Sequence, residues 1–338
     1  MPNTSTPVLD AHMHVAGLGY GGTGCYIHPK TLNSLPFHFL RTFLGFTRKD
    51  TFERLDELVL KRILDLIREA PSITHGLIYA HDAIIDKDGT RNETLTQFYV
   101  PNEYVLKLAR EHEELLPAVS IHPHRKDALD RLHECIEAGA LALKWLPNSQ
   151  GIDPSDKNII PLYDLLAEHH IPLISHTGGE HTVRVLDHRL SDPGLLQLPL
   201  ERGVTVVCAH CATKSGFADK DYFEVFIEMA KKWPHCYGDT SALATLNRAR
   251  YLPKLVKLEE LHEKLIHGTD FPVPSSALPL MRHFTMSELK RLQRIKNSLE
   301  RDIQIKRSLG LSDVVFENAA RVFKVADKGK QAEGSSNT

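Results

Sequence analysis

Two histidines one residue apart, in Asp10-Ala11-His12-Met13-His14, are the first groups along the chain whose types and spacing could do chemistry. In a strand, residues two apart share a face, so both imidazoles point the same way. Two imidazoles so placed can bind one divalent ion. Twenty histidines among 338 residues make about one such pair expected by chance, and His122-Pro123-His124 is a second. Position separates the first pair: it lies in an apolar run, 8–15, where burying two imidazoles without a partner would be costly.

Polar groups also interrupt the ends of later apolar runs. His176 follows Ile174-Ser175, His210 follows Val207-Cys208-Ala209, Asp270 follows His267-Gly268-Thr269, and Lys144 sits inside Ala142-Leu143-Lys144-Trp145. One buried histidine is usually a hydrogen-bonded core residue. Imidazoles from three runs and a carboxylate from a fourth, all at the same rim, read instead as a metal site.

The elements that must position these groups are legible as alternation. Short apolar runs at 8–15, 74–81, 115–122, 140–146, 171–177, 204–211, 236–242 and 264–270 read as eight strands separated by helical stretches. Near-continuous apolarity fits strands buried on both faces. Within 50–70, Phe52, Leu55, Val59, Ile63, Leu66 and Ile67 form one stripe, with Asp50 or Thr51 as N-cap. The stretch 124–138 repeats this through Leu129, Leu132 and Ile136 and stops at Gly139; 221–232 and 286–309 are also helical. Eight βα units favour an α/β fold, a (β/α)8 TIM barrel forming a single domain over 1–326, with a polar, disordered tail at 327–338. Long connections at 16–49, 178–202 and 271–285 leave the strand ends where barrel active sites lie, and are expected to act as lids or substrate walls.

Taken together, these motifs resemble the amidohydrolase superfamily of metal-dependent barrels, in its amidohydrolase 2 branch. The resemblance rests on Asp10-x-His12-x-His14, His176-Thr177-Gly178, His210, Tyr237-x-Asp239-Thr240-Ser241, Gly268-Thr269-Asp270-Phe271-Pro272 and the terminal Glu317-Asn318-Ala319-Ala320-Arg321-Val322-Phe323. It implies hydrolysis at a carbon centre or, in some relatives, decarboxylation without oxidation. It makes His12, His14, His176 and Asp270 metal ligands. In two-metal members a carbamylated lysine of the fourth strand bridges the ions, and Lys144, His176 and His210 fill those roles. In one-metal members the histidine corresponding to His210 polarises substrate or acts as acid/base, and the lysine is structural or binds substrate oxygen. Zinc is the expected ion, with manganese the alternative, in one or two copies. A divalent ion lowers the pKa of water toward ~7, and Asp270 is placed to take the proton as general base.

Weaker candidates stand at the rim. His81 and His122 end the second and third strands and read equally well as substrate contacts or hydrogen-bonded rim residues, whereas Arg125 and Arg184 lie on loops able to clamp a carboxylate, although each alone reads more readily as a solvated surface group. Asp239 is expected to tie the site together from behind. Cys208 and Cys211, three apart within a strand, face opposite sides and do not make a zinc knuckle.

Composition removes other classes. A formal net charge of -2 supports neither a nucleic-acid nor an anionic-membrane partner. Five scattered cysteines are an odd set rather than a disulfide framework and point to a cytoplasmic location. No secretory leader and no run of 18 apolar residues is present. The expected partner is a small-molecule substrate, with homo-oligomerisation left open. Three readings follow: a metal-dependent hydrolase of an amide, lactone or ester-like bond in a small polar metabolite; a metal-dependent decarboxylase; and a catalytically silent metal-binding barrel.

Overall fold

Each of the eight apolar runs becomes a strand, trimmed at its ends. In the computed structural model, which describes residues 8–34, 37, 38, 41, 42, 44 and 50–325, the strands are β1 (Leu9–His14), β2 (Tyr26–Ile27), β3 (His75–Tyr79), β4 (Phe98–Tyr99), β5 (Leu115–Val119), β6 (Ala142–Trp145), β7 (Leu173–Ser175), β8 (Val206–Cys208), β9 (Cys236–Asp239) and β10 (Leu265–Ile266). Eight of them pair in the order β1-β3-β5-β6-β7-β8-β9-β10, every pair parallel. The chain beyond β10 returns to β1: Ala11 N donates to His267 O (3.0 Å), Asp270 N to His12 O (2.9 Å) and His14 N to Phe271 O (2.8 Å). This is the expected (β/α)8 barrel. β2 and β4, both in rim connections, form a separate antiparallel ribbon with Ile27 opposite Phe98.

Two apolar layers hold the barrel. Leu9, Ala11, Leu77, Ala118, Ala142, Ile174, Val207 and Ile266 fill its interior, where Ala319 and Phe323 of the final helix pack against them. The helix Asp313–Val322 is fixed by Asn318, whose Nδ2 donates to His262 O (3.2 Å) and Leu265 O (2.8 Å). The terminal motif is therefore structural. Outside the strands, Leu55–Glu69 buries Leu55, Val59, Ile63, Leu66 and Ile67, the stripe read from the sequence except for Phe52, which lies in the preceding turn and is exposed.

The helices differ from expectation in three places. Segment 50–70 begins as a 3-10 turn, Phe52–Arg54, and Thr51 makes no side-chain cap. Ala128–Glu137 starts later than expected and buries Ala128, Leu132 and Cys135, leaving Leu129 exposed; Gly139 at φ 96° does supply the left-handed stop. Segment 286–309 is two helices, Met286–Arg294 and Ser298–Leu309. The Asn297 side chain accepts from Leu299 N and Glu300 N (both 3.1 Å), and so starts a new helix where periodicity alone suggested continuity. The tail expected at 327–338 lies outside the described residues.

Candidate metal centre

A register irregularity between Asp10 and Met13 decides where the first histidines go. Strict alternation would set Ala11 and His12 on opposite faces. The bulge shifts the phase, so Leu9 and Ala11 fill the interior while His12 and His14 both line the cavity above it. Asp10 turns toward the neighbouring segment instead, accepting from Thr269 N (2.9 Å), Thr269 Oγ1 (2.6 Å) and His12 N (3.2 Å). Burial pushes its carboxyl up to about 7 against those hydrogen bonds. A Cβ on Gly268 would stand 2.8 Å from His12 Cβ, so the approach of these two segments requires glycine. Asp270 then adopts the left-handed region, φ 70°. Its Oδ1 lies 3.3 Å from His12 Nε2 and 3.3 Å from His14 Nε2.

The expected strand 204–211 stops at Cys208. His210 (φ 57°), Cys211 (φ 49°) and Ala212 (φ 53°) form a left-handed turn beyond it, so strand alternation does not govern these side chains. Cys211 Sγ donates to Asp239 O (3.1 Å) rather than facing a metal. Asp239 organises the region. Its Oδ1 accepts from His210 N (2.8 Å) and Ser241 N (3.1 Å), and also takes the Ser241 hydroxyl proton; its Oδ2 meets His12 Nδ1 at 2.8 Å. With that hydroxyl proton committed to Asp239, His210 Nδ1, 2.7 Å from Ser241 Oγ and 3.2 Å from Ser241 O, must be the donor. The network thus assigns the Nδ1–H tautomer to both His12 and His210 and leaves each Nε2 with a lone pair.

His176 is buried, and its Nε2 has no hydrogen-bond partner among the described residues; Glu180 Oε2 lies 3.6 Å away. Ring centroids step from His14 to His12 (5.1 Å), to His210 (5.0 Å) and to His176 (5.0 Å). Burial holds His12, His176 and His210 well below the ordinary imidazole range, so these rings are neutral donors suited to a cation. Among the described residues, one ligand atom each from His12, His210 and Asp270 lies within 4.8 Å of the others. Neutral nitrogens, a carboxylate and an orphaned buried Nε2 fit a divalent ion of the zinc or manganese type.

Above this floor is a cavity of about 390 Å³. All three long connections contribute wall: Ile27 from the first, Glu180 and Val183 from the second, Val273 from the third. Lys144 also lines it, fully buried and, among the described residues, with no hydrogen bond to Nζ, 4.8 Å from the centre of the Tyr79 ring. Burial lowers its amine to about 8. His81 lines the cavity, and burial lowers its ring to about 3.

The other weak candidates are elsewhere. His122 is held by Gln150 O (3.0 Å) and by His124 N (3.2 Å), and does not line the cavity. Arg125 is likewise outside, bound to Asp127 (2.9 Å) and Asp82 (3.4 Å). Both turn away because Asp82 and the Gln150 carbonyl, on neighbouring rim loops, offer them closer partners. Arg184 lines a small side pocket with His81 and Phe98 rather than the main cavity. Arg248 had no signal in the sequence. It lines the cavity and donates to Thr213 O, Thr213 Oγ1 (2.9 Å) and Gly179 O, joining the loops that follow β7 and β8. Nothing local distinguishes it from nearby Arg250.

Comparison with solved structures gives fold-level likenesses along nearly the whole chain. An uncharacterized TIM-barrel protein from Bordetella bronchiseptica superposes with TM-score 0.63 at 18% identity, covering 94% of this chain and 98% of that one. A Pseudomonas putida protein provisionally assigned as a 2-pyrone-4,6-dicarboxylic acid hydrolase gives 0.57 at 14%, covering 95% and 98%. A 5-carboxyvanillate decarboxylase from Sphingomonas paucimobilis gives 0.56 at 11%, covering 95% and 100%. At these identities the likeness is one of fold. No significant match is found among curated proteins. The sequence model of the family described as Amidohydrolase matches residues 70–324, about three quarters of the chain, beginning after His12 and His14. With that match on a barrel whose rim gathers histidines and an aspartate, the chain belongs to the amidohydrolase family, in its amidohydrolase 2 branch.

Proposed function

We propose that this protein is a metal-dependent hydrolase that cleaves an amide, lactone or ester-like bond in a small molecule, with one zinc or manganese ion at the barrel mouth. The observation that carries the reading is the convergence of His12 Nε2 and His14 Nε2 on Asp270 Oδ1, 3.3 Å from each, at the floor of the cavity. His12, His14, His176, His210 and Asp270 would hold the ion, with Asp239 and Ser241 setting the histidine tautomers. A divalent ion there supplies Lewis-acid polarisation and acidifies water toward a pKa of ~7.

Asp270 orients the attacking water, takes its proton and returns it to the leaving group. Lys144 remains an unmodified amine in this reading: its Nζ sits over the Tyr79 ring, and its free donors suit a substrate oxygen. The five buried free thiols support a reducing, cytoplasmic location. Among the described residues no helix is long and apolar enough to cross a membrane.

The unpaired Lys144 ammonium also favours a second reading, non-oxidative decarboxylation, in which it would hold the substrate carboxylate while Asp270 protonates carbon. The decarboxylase among the similar folds lends this reading the same general support.

Metal content per chain, measured on protein purified without chelator, should be near one; near two would favour a carbamylated Lys144. Asp270→Asn should remain folded and lose ~10²–10⁴-fold in turnover. Retained turnover removes Asp270 from this role. Ring opening of lactones without gas release supports hydrolysis; release of carbon dioxide from an acid supports the second reading.

A further inference from the structure

The cavity lining has two chemically different parts. At the floor, Lys144 is fully buried and its ammonium makes no hydrogen bond among the described residues. An unpartnered buried cation is costly, and its natural complement is an anionic or carbonyl oxygen supplied by a ligand. Another part of the lining is hydrocarbon. Ile27 and Phe98 pair across the β2–β4 ribbon, and Leu55 and Val59 stand one turn apart on the Leu55–Glu69 helix; all four line the cavity.

Apart from histidines, the charged groups lining the cavity among the described residues are Lys144, Glu180, Arg248 and Asp270. Arg248 is engaged by Thr213 and Gly179, and Asp270 belongs to the metal floor. Arg125 and Arg184 lie outside the main cavity. Among the described residues, then, no cation lines the main cavity beside Ile27, Leu55 and Val59, and Arg184 meets Phe98 only from the side pocket.

We infer that the substrate is amphipathic: one acyl head at Lys144 and the metal floor, joined to an uncharged hydrocarbon body lying against Ile27, Leu55, Val59 and Phe98. This rests on the hydrolase reading for the identity of the head, and it narrows the small polar metabolite expected from sequence. A second carboxylate on the body would be set against hydrocarbon. Hydrolysis of such a substrate breaks the acyl C–O or C–N bond with one water, releasing the alcohol or amine (in a lactone, a hydroxyl on the same chain) and a monocarboxylate whose oxygens meet Lys144 and whose chain lies against those apolar residues.

The test is equilibrium binding of product-like acids to the zinc-loaded full-length protein, which needs no turnover. Calorimetric titration with butanoate, pentanoate, hexanoate and adipate should show affinity rising about fourfold per methylene, with adipate bound at least ~10-fold more weakly than hexanoate. Phe98→Ala, at a partly exposed position, should flatten the chain-length series. Lys144→Met should erase the preference for hexanoate over hexanamide. A flat series, tighter binding of adipate, or no binding of any acid overturns the inference. A steep series with no hydrolysis of the matching esters or lactones keeps the inference and sinks the hydrolase reading. A flat series with turnover of compact polar esters does the reverse.

Discussion

Replacing Asp239 with asparagine changes almost no volume and attacks one thing, the tautomer of His12. In the native site Asp239 Oδ2 takes the Nδ1 proton of His12 at 2.8 Å, while Oδ1 accepts from His210 N, Ser241 N and the Ser241 hydroxyl. An amide has a single acceptor oxygen. Placed at the Oδ1 position, it keeps those three donors and turns an NH2 group toward His12. The ring must then hold its proton on Nε2, and the lone pair facing Asp270 is lost. The opposite placement sets an NH2 group against three donors in a fully buried position.

Either outcome weakens the ion site without opening the core. Losing the partner that orients a ligating histidine costs about 10–100-fold in metal affinity, or roughly 1.4–2.7 kcal/mol. The assay is a competition titration against a chromophoric chelator, with circular dichroism to verify folding. A folded Asp239→Asn protein that binds zinc within about threefold of the parent would refute the tautomer argument.

Two further outcomes test how burial controls stability. Burial lowers His122 to about 4 and His81 to about 3, against about 6.5 in the unfolded chain. A depressed folded value gives stability that is complete above about 6.5 and is lost as the pH falls through that window, worth about 3 kcal/mol for His122. Urea midpoints should therefore fall between about pH 6.5 and 4, and His122→Gln should shallow that decline; an unchanged slope counts against the assignment. Lys306 and Asp302 form a fully buried ion pair, and Lys306 Nζ also donates to Gly268 O (2.7 Å), two residues before Asp270. Lys306→Met should destabilise by about 3–5 kcal/mol, with much of that recovered when Asp302→Leu is added. A single-variant cost under about 1 kcal/mol in urea denaturation would place the pair in the weak, surface-like class.

What could be read along the chain was whatever depends on neighbours in sequence. Eight apolar runs suffice for eight strands because a strand buried on both faces must be apolar throughout, and polar residues at the ends of those runs mark the rim. His12, His14, His176, His210, Asp270 and Lys144 were therefore legible as rim groups, and the structure places all six around one cavity. Helix limits were less legible because a cap can end a periodic pattern: Asn297 divides a stretch whose spacing looked continuous.

Tertiary structure alone decided which rim groups face the cavity. His122 and Arg125 turn to Gln150, Asp127 and Asp82 because those acceptors are nearest, and Arg248 enters the wall because Thr213 and Gly179 receive its donors. The phase shift in β1 and the left-handed turn at His210 also arise from pairing and packing with distant segments. A side chain's destination is set by partners that the fold brings from elsewhere in the chain. The apolar part of the cavity lining is of that kind: Ile27, Leu55, Val59 and Phe98, from three separate stretches, come to one cavity only in the folded chain.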